Sequence, residues 1–236
     1  LQAVYVCMFH RPQIVIAHTL FPAGTLSLFL SKIFNIKLVI FAHGGDIMGL
    51  SKTAAILWEK DKMNTLWKIR KYLINLVVQK SNGIIYVSDY IFNLSKKYFS
   101  ANKKKSFVSP IGYNPKYFFK NPKCNTNKTI LFVGRIDPKK GIYKYFSVLS
   151  TISNYLNENN YTAKIIGRID DPLFFDTLNK YKVKYNVEYL GEKNRTELGD
   201  YFNSAILTIV PSFYEAFGLV AVESLACGTP VACYPV

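Results

Sequence analysis

Short apolar runs recur along this chain at 13–17, 38–42, 84–87, 129–133, 163–166, 187–190 and 206–210. Longer amphipathic or polar stretches separate them, at 25–34, 62–79, 142–156, 172–185 and 196–203. Strand-like runs that alternate with helix-length stretches predict an α/β chain, with parallel sheets covered by helices on both faces. In such sheets ligands bind beyond the carboxyl ends of the strands. His43, Gly134, Arg135, Gly167, Gly191 and the segment 211–215 all follow the ends of apolar runs. That convergence predicts a ligand cleft rather than scattered surface loops.

The length, 236 residues, suits one large domain or two small ones. A Pro- and Asn-rich, Lys-bearing segment at 110–128 has the composition of a connector, so two domains are expected, 1–113 and 114–236. No apolar stretch reaches the roughly 18 residues that a spanning helix needs. Cys7, Cys124, Cys227 and Cys233 show no C-x-x-C spacing and no His companions. Cys227 and Cys233 fall on an expected buried helix and strand, where Cys acts as a small hydrophobe. A reducing cytoplasm is the default setting for such a set. The net charge is +15, and it is uneven: residues 1–115 hold 15 Lys/Arg against 4 Asp/Glu, and residues 116–236 hold 15 against 11. A basic first half implies an anionic partner: nucleic acid, a phosphorylated acceptor or an anionic membrane surface. No nucleic-acid-binding motif is present, which ranks that partner last. The stretch 52–80 sets Trp58 and Trp67 among lysines, a pattern of helices that lie on anionic bilayers and equally of a surface helix packed on a sheet.

The candidate chemistry starts from two glutamates eight residues apart, Glu215 and Glu223. The stretch 217–227 reads as a helix apolar nearly all round, hence buried, with Glu223 its one charge. A buried carboxylate is costly unless something pairs with it, and the hydroxyls of a polar ligand would do so. The free N–H groups at the start of this helix suit a phosphate, and Gly218 lets a ligand approach the main chain. The bland reading stays open: Glu215 a surface loop residue, Glu223 paired with Lys or Arg. Arg135 and Lys140 lie five apart around Pro138 and suit a diphosphate, Arg as a fork and Lys as a point charge, while Lys139 reads as surface. His43 is a site candidate or a satisfied, partly buried histidine. His18 carries the same two readings, and Asp46 alternatively caps a turn. Asp170 and Asp171 read as a turn and helix-start pair, and no His/Cys/carboxylate cluster suggests a metal.

The segment 211–231, PSFYEAFGLVAVESLACGTPV, resembles the E-x7-E signature of the family 4 retaining glycosyltransferases. Residues 133–141, VGRIDPKKG, resemble that family's G-R-(L/I)-x-x-x-K-G segment, and His43-Gly44-Gly45-Asp46 resembles its H-G-x-D. Ser109-Pro110-Ile111-Gly112-Tyr113-Asn114 stands where the family has P-N-G-(V/I)-D, with Ile111 and Asn114 departing from it. Gly167 begins a place where the family shows G-x-G, and here the second glycine is replaced by Ile169. The resemblance implies the GT-B architecture: two Rossmann-like domains with parallel sheets facing a cleft. Both would be incomplete, 1–113 lacking its first strand and Gly-rich loop and 114–236 its C-terminal end, as expected of an internal piece of a longer protein.

The resemblance further implies a retaining, metal-independent hexosyltransferase that needs no cofactor beyond its donor substrate. It would move a sugar from a nucleotide-diphosphate sugar to an acceptor hydroxyl in surface polysaccharide, lipopolysaccharide or glycolipid synthesis. Arg135 and Lys140 would contact the diphosphate and stabilise the leaving group, Glu215 would hold the donor sugar, and Glu223 the ribose. Gly134, Gly167, Gly191, Ala216, Phe217, Gly218 and Leu219 would line the donor site. His43 would face the transferred sugar, with His18 and Asp46 on the acceptor side. The implied partners are the nucleotide sugar, a saccharide or lipid-linked saccharide and an anionic membrane surface, without nucleic acid. The implied location is cytoplasmic, peripheral on the inner face of the membrane. A nucleotide-sugar epimerase and a non-catalytic nucleotide- or anion-binding fragment are the rival readings.

Overall fold

The computed structural model describes residues 2–48, 65–99, 101 and 103–234. The chain divides into two compact units, Leu1–Ile111 and Gly112–Val236.

The first unit runs α1 (Gln2–His10), β1 (Ile14–Ala17), α2 (Thr25–Ile33), β2 (Lys37–Ala42), a single turn α3 (Gly45–Met48), α4 (Thr65–Lys80), β3 (Gly83–Tyr86), α5 (Asp89–Phe99) and β4 (Ser106–Val108). Its strands form a parallel sheet in the order β1-β2-β3-β4, which follows the chain. Along β2 burial alternates, with Leu38, Ile40 and Ala42 buried and Lys37 exposed. Helix α4 falls on the predicted 62–79 stretch, but residues 52–64 of the basic Trp-bearing segment, Trp58 included, lie outside the described residues.

The second unit runs β5 (Thr129–Val133), a 3-10 turn at Pro138–Lys140, α6 (Ile142–Thr151), α7 (Ser153–Glu158), β6 (Thr162–Ile166), α8 (Phe174–Lys182), β7 (Val187–Tyr189), α9 (Arg195–Ser204), β8 (Leu207–Val210), α10 (Leu219–Ala226) and β9 (Val231–Cys233). All pairings are parallel, in the order β7-β6-β5-β8-β9. Both faces of this sheet are covered, as a parallel sheet requires. Ile130, Phe132 and Ile165 pack with Tyr145, Phe146, Leu149 and Phe174 in one core cluster, while Leu131 and Ile166 pack with Phe118, Phe202 and Cys227 in another. Each such side chain, fully buried, contributes about 1.5–3 kcal/mol. Helix α9 starts on a reciprocal cap: Glu197 N–H donates to Asn194 Oδ1 and Asn194 N–H donates to Glu197 Oε2, both at 3.0 Å.

Three expectations change. The stretch 142–156 is two helices, because Ile152 leaves helical geometry (φ −111°, ψ 20°) just before Ser153 and Asn154, residues whose side chains favour turns over helix interiors. Cys233 is exposed, since β9 is the last strand of its sheet, whereas Cys227 is buried as expected. The 110–128 segment docks on the second unit: Phe118 is buried in its core, Asn121 N–H donates to Asn203 Oδ1 at 2.7 Å, and Asn203 Nδ2 donates to Phe119 O at 2.9 Å.

Candidate functional site

In the second unit the strand order reverses at β5, which has β6 on one side and β8 on the other. The loops after β5 and β8 therefore stand side by side, at the type of point where open α/β sheets bind ligands. The loop after β5 carries Gly134 and Arg135 and then turns tightly at Pro138–Lys140, where Asp137 Oδ1 accepts the Lys140 N–H at 2.7 Å. The loop after β8 runs through Ser212 and Glu215. The two are stitched by Phe213 N–H donating to Lys139 O at 3.1 Å. Across the seam, Lys140 Nζ donates to Glu215 Oε1 at 2.6 Å, and Ser212 Oγ donates to the same oxygen at 2.8 Å. This charge-assisted bond joins residues 75 apart in sequence. Gly134, Lys140, Ser212, Glu215 and Val220 line a small recess of about 30 Å³ beside it.

Arg135 is half in solvent, with 54% of its side chain exposed, and lies 3.6 Å from Asp137 Oδ2 and 3.7 Å from Asp170 Oδ2. Asp170 also receives a two-pronged hydrogen bond from Arg168, Nε to Oδ1 at 2.8 Å and Nη2 to Oδ2 at 3.1 Å. Those contacts, Arg168 first, hold the Asp170 carboxyl below its usual range. The Tyr214 hydroxyl senses the same cluster. Burial, then the charge of Asp137, raises its pKa, while Arg135 opposes the shift.

A row of glycines continues the strand ends. Gly134 N–H donates to Ile166 O and Gly167 N–H donates to Gly191 O, both at 3.0 Å, and Tyr189 Oη donates to Gly167 O at 2.9 Å. Gly167 sits at φ +145°, and a Cβ there would lie 1.8 Å from Gly134 O. No side chain fits, so the ends of β5 and β6 can approach only through glycine.

Helix α10 differs from the expected 217–227. It begins at Leu219, after Gly218 in the left-handed region (φ 80°), so Ala216 and Phe217 belong to the loop that leads into it. It is not buried all round. Ser224 is its buried residue and Leu225 is 59% exposed, because the helix meets the sheet through a small polar side chain. Ser224 Oγ donates to Thr208 Oγ1 on β8 at 2.8 Å and to Thr229 O at 3.1 Å. Glu223 is half-buried on the helix flank. Desolvation raises its pKa, partly countered by the positive charge of Arg195. Of the two glutamates, then, Glu215 is joined to Lys140, whereas Glu223 is influenced by a different cation.

In the first unit, His18 and His43 follow the ends of the paired strands β1 and β2. His18 Nδ1 lies 3.1 Å from His43 Nε2, and the rings stack at 5.4 Å with Phe41 stacked on both. Burial, then the neighbouring His18, lowers the His43 pKa. Asp46 is occupied by three donors: Leu20 N–H at 2.8 Å, Phe21 N–H at 3.3 Å and Arg70 Nη2 at 3.0 Å. It anchors the loop after β1 to α4.

Several participants escape a reading of the sequence. Ser212 and Tyr214 lie inside the E-x7-E segment but carry no motif of their own. Asp137 also went unread, although an Asp just before Pro138 is the type and place of a capping residue, and it caps the Pro138–Lys140 turn. The Asp170-Asp171 pair divides: Asp171 Oδ1 accepts the Leu173 N–H at 3.0 Å and caps the following turn as expected, whereas Asp170 turns to the arginines. Asp171 also accepts a hydrogen bond from Tyr143, whose pKa is pushed up to about 12 by burial and by that carboxylate. Among the described residues, no three His, Cys, Asp or Glu gather as a metal site, and no helix is long and apolar enough to cross a membrane.

Comparison with known proteins converges on one group. An uncharacterized glycosyltransferase of Methanocaldococcus jannaschii is 26% identical over 222 residues, 93% of this chain and 55% of its own. Glycogen synthase of Mycobacterium tuberculosis is 32% identical over 102 residues, 43% of this chain and 24% of its own. The chain thus spans about half the length, or less, of these curated relatives. Sucrose-phosphate synthase from Thermosynechococcus elongatus superposes with a TM-score of 0.79 at 20% identity, covering 98% of this chain and 58% of that one. HepE of Anabaena, solved in complex with UDP, gives 0.75 at 16% identity, covering 98% and 61%. These likenesses identify the α/β fold, with its two parallel sheets, as that of the GT-B glycosyltransferases. The profile of the glycosyl transferases group 1 family matches residues 114–236, the whole stretch that carries the Lys140–Glu215 seam. This chain belongs to the glycosyl transferases group 1 family.

Proposed function

We propose that this chain is the substrate-binding part of a retaining, family 4 glycosyltransferase that moves a sugar from a nucleotide-diphosphate donor to an acceptor hydroxyl without a metal. The observation that carries this reading is the reversal of strand order between β5 and β8, where Lys140, Glu215 and Arg135 come together. In the reaction, negative charge grows on the departing diphosphate. Arg135, Lys140 and the N–H groups that open α10 supply fixed positive charge for it, which is electrostatic stabilisation of the transition state. Lys140 would exchange Glu215 for a phosphate oxygen, freeing that carboxylate for the hydroxyls of the donor sugar. Glu223, whose ionised form is held in a half-buried place without a hydrogen bond among the described residues, would recover that cost on the ribose hydroxyls. Gly134, Gly167 and Gly191 would form the floor, and Ala216 to Leu219 the wall. The complexes of HepE with UDP and with UDP-glucose support a nucleotide sugar as the donor class.

In this reading the second unit takes the donor, and His43, His18 and Asp46 are the candidates of the first unit for contacts with sugar and acceptor. The excess of basic residues in the first half supports a saccharide acceptor carried on a lipid, as in surface polysaccharide or glycolipid synthesis at the inner face of an anionic membrane. Transfer from a nucleotide sugar, measured with wild type, Glu215→Ala and Arg135→Ala, tests the assignment. Loss of at least tenfold in both variants is expected, and wild-type rates in both would end it. Conversion of the nucleotide sugar without acceptor would instead favour an epimerase.

A further inference from the structure

One acidic residue beside the proposed donor site has no part in the reading above. Asp170 stands just past the point where the resembled family has a second glycine. It is fixed in place rather than loosely near. Ile136 and Ile169 form a parallel bridge, Ile136 N–H donates to Arg168 O at 2.8 Å, and Asp170 N–H donates to Ile136 O at 3.1 Å. These bonds lock the loops after β5 and β6 together and set Asp170 against Arg135.

The two arginines hold Asp170 unequally. Arg168 grips it with both prongs at 2.8 and 3.1 Å, while Arg135 stays 3.7 Å away and shares itself with Asp137 at 3.6 Å. Arg135 is thus tethered by two loose ion pairs, neither at hydrogen-bond distance. A phosphate, which takes a guanidinium in two parallel hydrogen bonds, competes well with such tethers. Arg168 keeps Asp170 neutralised after Arg135 has moved.

We propose that Asp170 is a positioning residue of the donor site, a carboxylate that holds Arg135 in a loose ion pair and yields it to the phosphates of a nucleoside diphosphate. It sets donor affinity by competition. The proposal rests on the donor-binding reading above.

The test is calorimetric titration of the 236-residue chain with UDP, GDP, ADP, CDP and inorganic pyrophosphate. Asp170→Asn, which keeps the size of the side chain and removes the competing charge, is expected to bind the preferred diphosphate roughly two- to fivefold more tightly, the scale of an exposed ion pair. Asp170→Glu, which keeps the charge, stays within about twofold of wild type. In an Arg135→Ala background the gain from Asp170→Asn disappears. A purely structural role predicts weaker binding in Asp170→Asn, and that result, or no change, overturns the proposal. A gain that persists without Arg135 also overturns it, because it is then simple repulsion between Asp170 and the ligand. If wild type binds none of these ligands, the donor reading falls, and the proposal with it. If wild type binds one and only the Asp170 variants misbehave, the donor reading stands and the parking role alone is lost.

Discussion

The ends of the two parallel sheets carry different chemistry. In the second unit the strand order turns back on itself at β5, and the loops there hold charges in pairs: Lys140 with Glu215, Arg135 with Asp137 and Asp170. In the first unit the described strands follow the chain in order, and their ends hold two imidazoles stacked on Phe41, with the nearby Asp46 consumed by backbone and Arg70. A reversal brings together loops far apart in sequence, so opposite charges can be matched across a seam and exchanged for a charged ligand. A sheet that simply steps from strand to strand pairs near neighbours, and here it gives two stacked rings, with the protonation of His43 suppressed by burial and by its neighbour. The contrast is between a strand end of paired charges and one of stacked rings.

The sharpest way to break the second site is Gly167→Ala. The added Cβ has no room against Gly134 O, and with the strained φ the expected loss is about 2–4 kcal/mol of stability, read by urea denaturation. Next in size, Arg135→Ala or Lys140→Ala should each weaken nucleoside diphosphate binding by about tenfold to a hundredfold, the worth of a hydrogen bond to a charged group. Wild-type affinity in both variants would mean that the charge pairing in this unit is structural only.

Glu223 sharpens the contrast within the site. Its pKa is raised, so folding favours its protonated form. The stability it contributes is present below the ordinary 4.5 and is lost as pH rises through the shifted value. At neutral pH the ionised side chain is therefore a cost. Glu223→Gln should raise the melting temperature by about 1–2 °C and weaken nucleotide binding several-fold. A variant that is both less stable and unaltered in binding would show that Glu223 is an ordinary packing residue.

The smallest effect belongs to the first unit. With only three histidines in the chain, each can be followed by NMR. His43 should titrate below 6.5, and His18→Ala should move it upward, since part of the depression comes from that neighbour. A lowered histidine contributes stability that is intact above 6.5 and declines as pH falls through the shifted value. An unshifted His43 would remove the burial effect that sets this strand end apart from the charged one.

Strand positions were legible because both-face burial writes an unbroken apolar run, as in Thr129–Val133, which the structure reproduces residue for residue. Two helices went unread for opposite reasons. Gln2–His10 is apolar on nearly every side and shows no periodicity, while Asp89–Phe99 turns the small polar Ser95 into the core beside Ile91 and Phe99. The burial of α10 was over-read from its composition, since hydrophobicity gives no direction when the helix meets the sheet through Ser224. At the candidate site, Lys140 and Glu215 were each visible through their motifs. Their direct bond was not, because it depends on β5 and β8 being neighbours, a matter of strand order rather than of local sequence. Asp170 was misread for the same reason: its sequence neighbour Asp171 does cap the turn, and only the bridge between the loops after β5 and β6 shows where Asp170 goes.

In the proposed function the seam between β5 and β8 binds the diphosphate of a nucleotide donor. Calorimetric titration of nucleoside diphosphates into wild type and into the Arg135→Ala, Lys140→Ala double variant tests it most directly. One diphosphate bound per wild-type chain, with binding lost in the double variant, is the predicted result. No binding by wild type, or equal binding by both proteins, would contradict it.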